Sequence, residues 1–88
     1  MIVFQSKRIV NRLITSEQIR AARALIKWSA DDLAEAAGVG VATIRRFESV
    51  AGVPSGQMRV IELLRNTLQT AGVEFVGTPD DRPGVRLK

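Results

Sequence analysis

Two adjacent arginines, Arg45 and Arg46, are the side chains in this 88-residue sequence best suited to binding chemistry. A guanidinium group donates hydrogen bonds in a planar fork that matches a guanine edge or a phosphate group. Just before them, Val41, Ala42 and Thr43 are small enough to let the backbone approach a large partner. An isolated arginine pair usually belongs to a solvated helix face, so the surrounding elements decide between the two interpretations.

The pair lies in residues 29–49, which the pattern predicts to be two short helices joined by a tight turn. Ser29 is placed to cap the first helix, and Asp32 approximates the partner residue of a capping box. Gly38 ends this helix where a left-handed backbone is needed. Three residues fall on one face of the helix: Leu33, Ala34 and Ala37.

The second helix begins after Gly40, and its inward face consists of Ile44 and Phe47. The small residues and arginines named above therefore remain for the outside or the first turn. Two helices that cross steeply need a small side chain where their backbones approach, and Ala34 supplies it. Because the inner face is already filled, the pattern favours a binding role for the arginines.

This stretch resembles the helix-turn-helix of the Cro and phage-repressor-like, XRE-type DNA-binding proteins, which include small bacterial transcription regulators. The resemblance rests on these residues: Ala34, Gly38, Ile44, Phe47 and Glu48. It extends outward to Arg23, Leu25 and the Trp28–Ser29 junction. It implies a mainly α, lambda-repressor-like domain of four to five helices.

In the resembled family the second helix enters the major groove and the preceding helix crosses the DNA backbone. The resemblance therefore implies these base-contacting residues: Val41, Ala42, Thr43, Arg45 and Arg46. It implies these phosphate-contacting residues: Arg20, Arg23, Lys27, Ser29 and Ser55. It also implies that Arg23 pairs with Glu48, and that the protein binds double-stranded DNA as a homodimer.

Composition limits the alternatives. The chain has no cysteine and no histidine, which excludes disulfide scaffolds, thiolate chemistry and the usual zinc sites, and we expect no metal or cofactor. A net charge of +4 suits a polyanionic partner. No apolar run approaches the length of a membrane span and no signal peptide is recognisable, so we expect a cytoplasmic protein without membrane contact.

Residues 1–14 form a basic arm that is predicted either as a short strand or as a helical face. The arm either touches DNA phosphate or a partner subunit, or it packs on the domain or stays loosely ordered; we favour the second pair of alternatives. The helix-turn-helix domain is predicted at 15–72. Its first helix begins after Thr15 or Ser16 and runs to about Lys27.

The buried stripe of that first helix is predicted to consist of these residues: Ile19, Ala22, Leu25 and Ile26. Trp28 is interpreted as an apolar plug under the helix rather than an exposed stacking residue. A loop follows residue 49, in which Ser55 either bonds a phosphate or caps the next helix; we favour the cap.

The longest helix is predicted at Gln57–Ala71. Its stripe comprises Met58, Ile61, Leu64, Leu68 and Ala71, widened by Val60 and Leu63, and part of it could form a dimer face. Residues 73–88 alternate as a β-hairpin in which Glu74 and Arg86 can pair, with turn residues over 77–84. A lone hairpin is marginal in water, so it must pack on the helices, pair with the N-terminal segment or join another subunit.

We therefore predict a sequence-specific transcription regulator, most simply a repressor. The main alternative is a protein-interaction module, an antitoxin-like adaptor or antiactivator that binds a second regulator. An RNA-binding role is weaker because the few aromatic residues look buried. An enzyme is not expected, since the adjacent Asp31 and Asp32 lie at a helix start, where solvated carboxylates are usual.

Overall fold

A computed structural model describes residues 13–56 and 58–88. Within these residues the elements, in chain order, are α1 Ser16–Ile26, α2 Ala30–Ala37, α3 Val41–Glu48, α4 Met58–Thr70, β1 Val73–Thr78 and β2 Asp81–Leu87. The predicted helical domain with a C-terminal hairpin is confirmed. The strand or helix predicted for the N-terminal arm falls on residues 1–12 and a little beyond, and residues 1–12 lie outside the described residues. Among the described helices, none combines the length and apolarity that crossing a membrane requires.

Hydrogen bonds at both ends of α1 define its length. Thr15, not Ser16, caps the helix: its hydroxyl accepts from the Gln18 N–H, and the Gln18 side chain accepts from the Thr15 N–H at 2.8 Å. Lys27 has a left-handed backbone with φ of 59°, so the helix ends at Ile26, one residue before the predicted end.

The turn between α2 and α3 follows the prediction. Ser29 and Asp32 form the predicted capping box, with bonds of 2.9 and 3.0 Å between side chain and backbone. Gly38 ends α2 with φ of 73°, a conformation that costs glycine little. Three residues, 38–40, separate the two helices, and α3 begins after Gly40 as predicted.

One hydrophobic core joins all four helices and β1. Its buried members are Ile14, Ile19, Ala22, Leu33, Ala34, Ala37, Ile44, Phe47, Ile61, Leu64, Leu68 and Val73. Ile14, predicted as part of the arm, is 1% exposed and belongs to this core. Trp28 is half-buried and packs against the cluster, as the plug interpretation requires.

Three apolar residues predicted for buried stripes are exposed instead: Leu25, Met58 and Leu63. Leu25 flanks the buried face of α1, whose centre lies between Ile19, Ala22 and Ile26. Met58 is the first residue of α4 and precedes the turn that reaches the core. Leu63 is rotated by one residue, about 100°, from the buried Leu64. The predictions based on wide apolar stripes therefore overestimated the width of the buried faces.

The loop between α3 and α4 contains the predicted turn residues, and Pro54 within it is buried. Helix α4 runs over Met58–Thr70, so its C-terminal end lies one residue before the predicted end at Ala71. Residue 57, which immediately precedes Met58, lies outside the described residues, and Ser55 is exposed in the loop. The preferred role of Ser55 as the cap of this helix stays a prediction.

The hairpin has the predicted pairing but longer strands. Glu74 faces Arg86 in the register, and two bonds of 2.9 and 3.0 Å join their side chains. The segment 77–84, predicted as turn residues, is mostly strand, and only positions 79 and 80 separate β1 from β2. Gly77 explains the difference: it has φ of 74° at a register irregularity, where a Cβ would collide with the carbonyl oxygen of Arg82.

Gln18 connects this hairpin to α1. Its side-chain oxygen completes the α1 capping box, while its side-chain nitrogen donates to the carbonyl oxygens of Val76, at 3.3 Å, and Gly84, at 2.9 Å. Gln18 is 4% exposed, so each of these hydrogen bonds replaces a hydrogen bond that the side chain makes to water in the unfolded chain. Among the three locations considered for the hairpin, packing on the helices is the one that the structure shows.

We predict that Gln18→Glu keeps the capping box, because a carboxylate can still accept from the Thr15 N–H. The substitution removes both donors to the hairpin, so the free energy of unfolding should fall by about 1–3 kcal/mol. Urea denaturation measures this loss, and amide exchange should be faster in β1 and β2 than in α2. Gln69→Glu, on α4, is the control; equal losses in both variants would contradict the connecting role.

Candidate nucleic-acid interface

The outer face of α3 presents both arginines to solvent. Arg45, Arg46 and Ala42 are exposed, whereas Ile44 and Phe47 are 0% and 2% exposed. Helical spacing places Ala42 opposite the buried pair and one arginine on each side of it. The exposed face is therefore a small residue between two guanidinium groups, a shape that can enter a groove and donate hydrogen bonds.

The other two predicted base-contacting residues lie at the edges of this face. Val41 and Thr43 are half-buried, and Val41 packs against the core. The first turn of α3 has no side-chain cap, because its N-cap residue is Gly40. The Thr43 N–H in this turn donates to the Gly40 carbonyl oxygen at 3.0 Å, so the start of the helix is held by backbone bonds.

Arg46 also contacts the ring of its neighbour. The guanidinium carbon lies 5.6 Å from the centroid of the Phe47 ring, within the range of a cation–π interaction. Since Phe47 is fixed in the core, this contact limits the positions that Arg46 samples.

An ion pair holds the C-terminal end of α3. The Nε and Nη2 atoms of Arg23 donate to the two carboxylate oxygens of Glu48, each at 2.7 Å, and Nη1 donates to the Trp28 carbonyl at 2.9 Å. The side chains are 20% and 9% exposed, so water screens the pair less than a surface pair. The hydrogen bonds to Glu48 raise the pKa of Arg23 above its ordinary value. This is the pairing that the family resemblance implied.

Further contacts fix the end of α3 and the loop after it to α1. Arg20 donates from Nη1 to the Glu48 carbonyl. The Ser16 N–H donates to the Gly52 carbonyl at 2.8 Å, and the Ser16 hydroxyl donates to the Val50 carbonyl. The Glu17 carboxylate accepts from the Gly52 N–H at 3.1 Å. The pKa of Glu17 is lowered, first by its own backbone N–H and then by that of Gly52.

These loop contacts were missed at the sequence level, because they join residues about 35 positions apart and no local pattern marks them. The predicted phosphate-contacting residues fall into two groups. Arg20, Lys27 and Ser55 are exposed. Arg23 bonds inward to Glu48 and Trp28, and the Ser29 hydroxyl accepts from Asp32.

No group of carboxylates able to hold a metal ion occurs in the described part of the chain. The exposed α3 face therefore stands as the candidate site on its shape and its donors alone. What it offers a partner is hydrogen-bond donation and positive charge.

Comparison with known proteins agrees with this geometry. Residues 19–58 match a family model described as Helix-turn-helix, a range from Ile19 in α1 to the first residue of α4. The chain therefore carries an XRE-type helix-turn-helix domain, the domain of a class of DNA-binding transcription regulators. The family resemblance drawn from the sequence is confirmed. A search among curated proteins finds no match for the chain.

We predict that Glu48→Gln destabilises the domain by about 1–3 kcal/mol, because the partly buried Arg23 keeps its charge and loses its counterion. Chemical denaturation measures the effect. Glu35→Gln, an exposed carboxylate on α2, removes the same charge and should change stability far less. A double-mutant cycle with Arg23→Gln should show coupling; additive losses would contradict a direct pair.

A second prediction concerns pH. The folded-state pKa values of Glu17 and Glu74 lie below the ordinary value of 4.5, the second because Arg86 donates to it. The stability from these carboxylates is complete above the unfolded-state pKa and is lost as the pH falls through the folded-state pKa. Stability should therefore decrease below pH 4.5, and Glu17→Gln or Glu74→Gln should make the decrease shallower. An unchanged acid dependence in both variants would contradict these assignments.

Proposed function

We propose that this protein is a sequence-specific repressor that binds double-stranded DNA as a homodimer, with α3 in the major groove. The observation that carries the proposal is the arrangement of side chains around α3. Its inner face is buried and its C-terminal end is fixed by Arg23, whereas its outer face presents Arg45 and Arg46. A rigid helix with donors on its outer face can read base edges without first being ordered.

Base recognition is assigned to the outer face. Arg45 and Arg46 are the donors, and either can bond a guanine through its N7 and O6 atoms. Ala42 at the centre allows close approach and can contact a thymine methyl group. Val41 and Thr43, at the edges of the face, are assigned to shape and methyl contacts near the start of the helix.

Phosphate contact is assigned to Lys27 and Ser55, which are exposed, and to Arg20, which is exposed but also donates to the Glu48 carbonyl. Arg23 and Ser29 remain candidates, but their observed bonds favour a structural role. Such contacts set the register of a protein on DNA without reading its sequence.

Dimerisation is proposed because the base-contacting surface of a single α3 is small. One eight-residue helix contacts few base pairs, and a symmetric dimer doubles them by reading two half-sites about one helical turn apart, roughly 10 base pairs. Occupying such a site blocks other proteins from it, which is the simplest form of repression. We also propose a cytoplasmic location, because bacterial DNA lies in the cytoplasm.

We predict that the protein prefers DNA from immediately upstream of its own gene over scrambled DNA, and that Arg46→Ala weakens this preference. Loss of one bidentate base contact should reduce specific affinity by about 5- to 150-fold and leave non-specific binding almost unchanged. Fluorescence anisotropy at two salt concentrations measures both affinities, and the specific complex should weaken steeply with salt.

Arg82→Ala is the matched control, because it removes the same side chain and charge from the exposed end of the hairpin. It should leave the preference intact. Equal, weak binding to both DNAs, unchanged by Arg46→Ala, would contradict the repressor proposal and favour the alternative of a module that binds a second protein regulator.

A further inference from the structure

A groove lies between Trp28, α2 and α4, away from the outer face of α3. It has a volume of about 450 Å³ and is lined by Trp28, Ala36, Asn66, Thr67, Thr70 and Ala71. This volume falls in the range of roughly 300–1,000 Å³ usual for binding pockets. Its indole, methyl and methylene surfaces suit an apolar occupant.

The edge of the groove is acidic. A continuous depression joins Trp28 and Ala36 to the exposed carboxylates of Asp32 and Glu35, and Asp31 is exposed in the same turn of α2. Among the described residues, none of the three carboxylates takes part in a salt bridge. A fitting occupant therefore combines apolar side chains with nearby positive charge.

The chain itself contains such a segment, before the described residues. Residues 1–12 include the apolar run Ile2, Val3 and Phe4, followed by Lys7, Arg8 and Arg12, and no carboxylate. They carry three of the four net positive charges of the protein. Their charge is equal in size and opposite in sign to that of the three carboxylates on α2.

The segment is long enough to reach the groove. Helix α1 spans 11 residues, about 16 Å, between the start of the described chain and Trp28. Twelve extended residues span about 40 Å. A tethered segment also has a high effective concentration at a nearby surface, which favours it over a free peptide.

We propose that residues 1–12 dock in this groove of their own chain, with Ile2, Val3 and Phe4 against Trp28 and with Lys7 and Arg8 beside Asp32 and Glu35. The docked segment covers the indole and neutralises the acidic side of α2. The exposed arginines of α3 then remain for a separate partner.

Trp28 is the only tryptophan, so its fluorescence reports docking without a label. The test measures acrylamide quenching and the emission maximum of the full chain, free of DNA, at low and high salt. Phe4→Ser should reduce the docking equilibrium constant by about tenfold or more, since burial of this ring drives docking. Quenching should then increase. Val53→Ser, on an exposed loop, is the control and should change nothing.

Charge reversal tests the orientation. Arg8→Glu and Glu35→Lys should each weaken docking by about two- to fivefold, and combining them should restore it, as expected for one exposed ion pair. Quenching unaffected by Phe4→Ser, or no restoration in the double variant, would overturn the proposal. A dependence of quenching on protein concentration would also overturn it, because the segment would then come from a second copy. The assay contains no DNA, so its failure is independent of the repressor proposal.

Discussion

The ion pair between Arg23 and Glu48 joins the middle of the domain to the last residue of α3. Two bonds of 2.7 Å make it bidentate, and the same arginine reaches the Trp28 carbonyl, so a single side chain connects α1, α3 and the start of α2. Helix α3 has only eight residues and lacks a side-chain cap, so it would not be stable in isolation. Its orientation therefore depends on this pair together with the burial of Ile44 and Phe47.

The contacts of α1 with the loop after α3 extend the same constraint. Ser16, Glu17 and Arg20 all bond to the backbone between Glu48 and Gly52. Gln18, on the opposite flank, holds the hairpin. One turn and a half of α1 thus positions both α3 and the C-terminal strands, while the outer face of α3 makes none of these bonds.

The sequence predicted well those features that local chemistry determines. The capping box at Ser29, the left-handed Gly38, and the inward pair Ile44 and Phe47 each follow from residue type and spacing. Tertiary context decided the rest. Leu25 and Leu63 fit an apolar stripe but lie beyond the edge of the core, and the long strands depend on Gly77, whose bulge no alternation pattern shows. The bonds of Gln18 to the hairpin join residues 58 and 66 positions apart.

The central claim, that α3 reads the major groove through its arginines, is tested most directly by methylation interference on the bound DNA. Methylation of guanine N7 adds a group in the major groove at the atom an arginine would bond. The account predicts interference at guanines in two half-sites about 10 base pairs apart, and loss of interference at one guanine of each half-site in Arg46→Ala. Binding that ignores N7 methylation, or an interference pattern identical in wild type and variant, would contradict it.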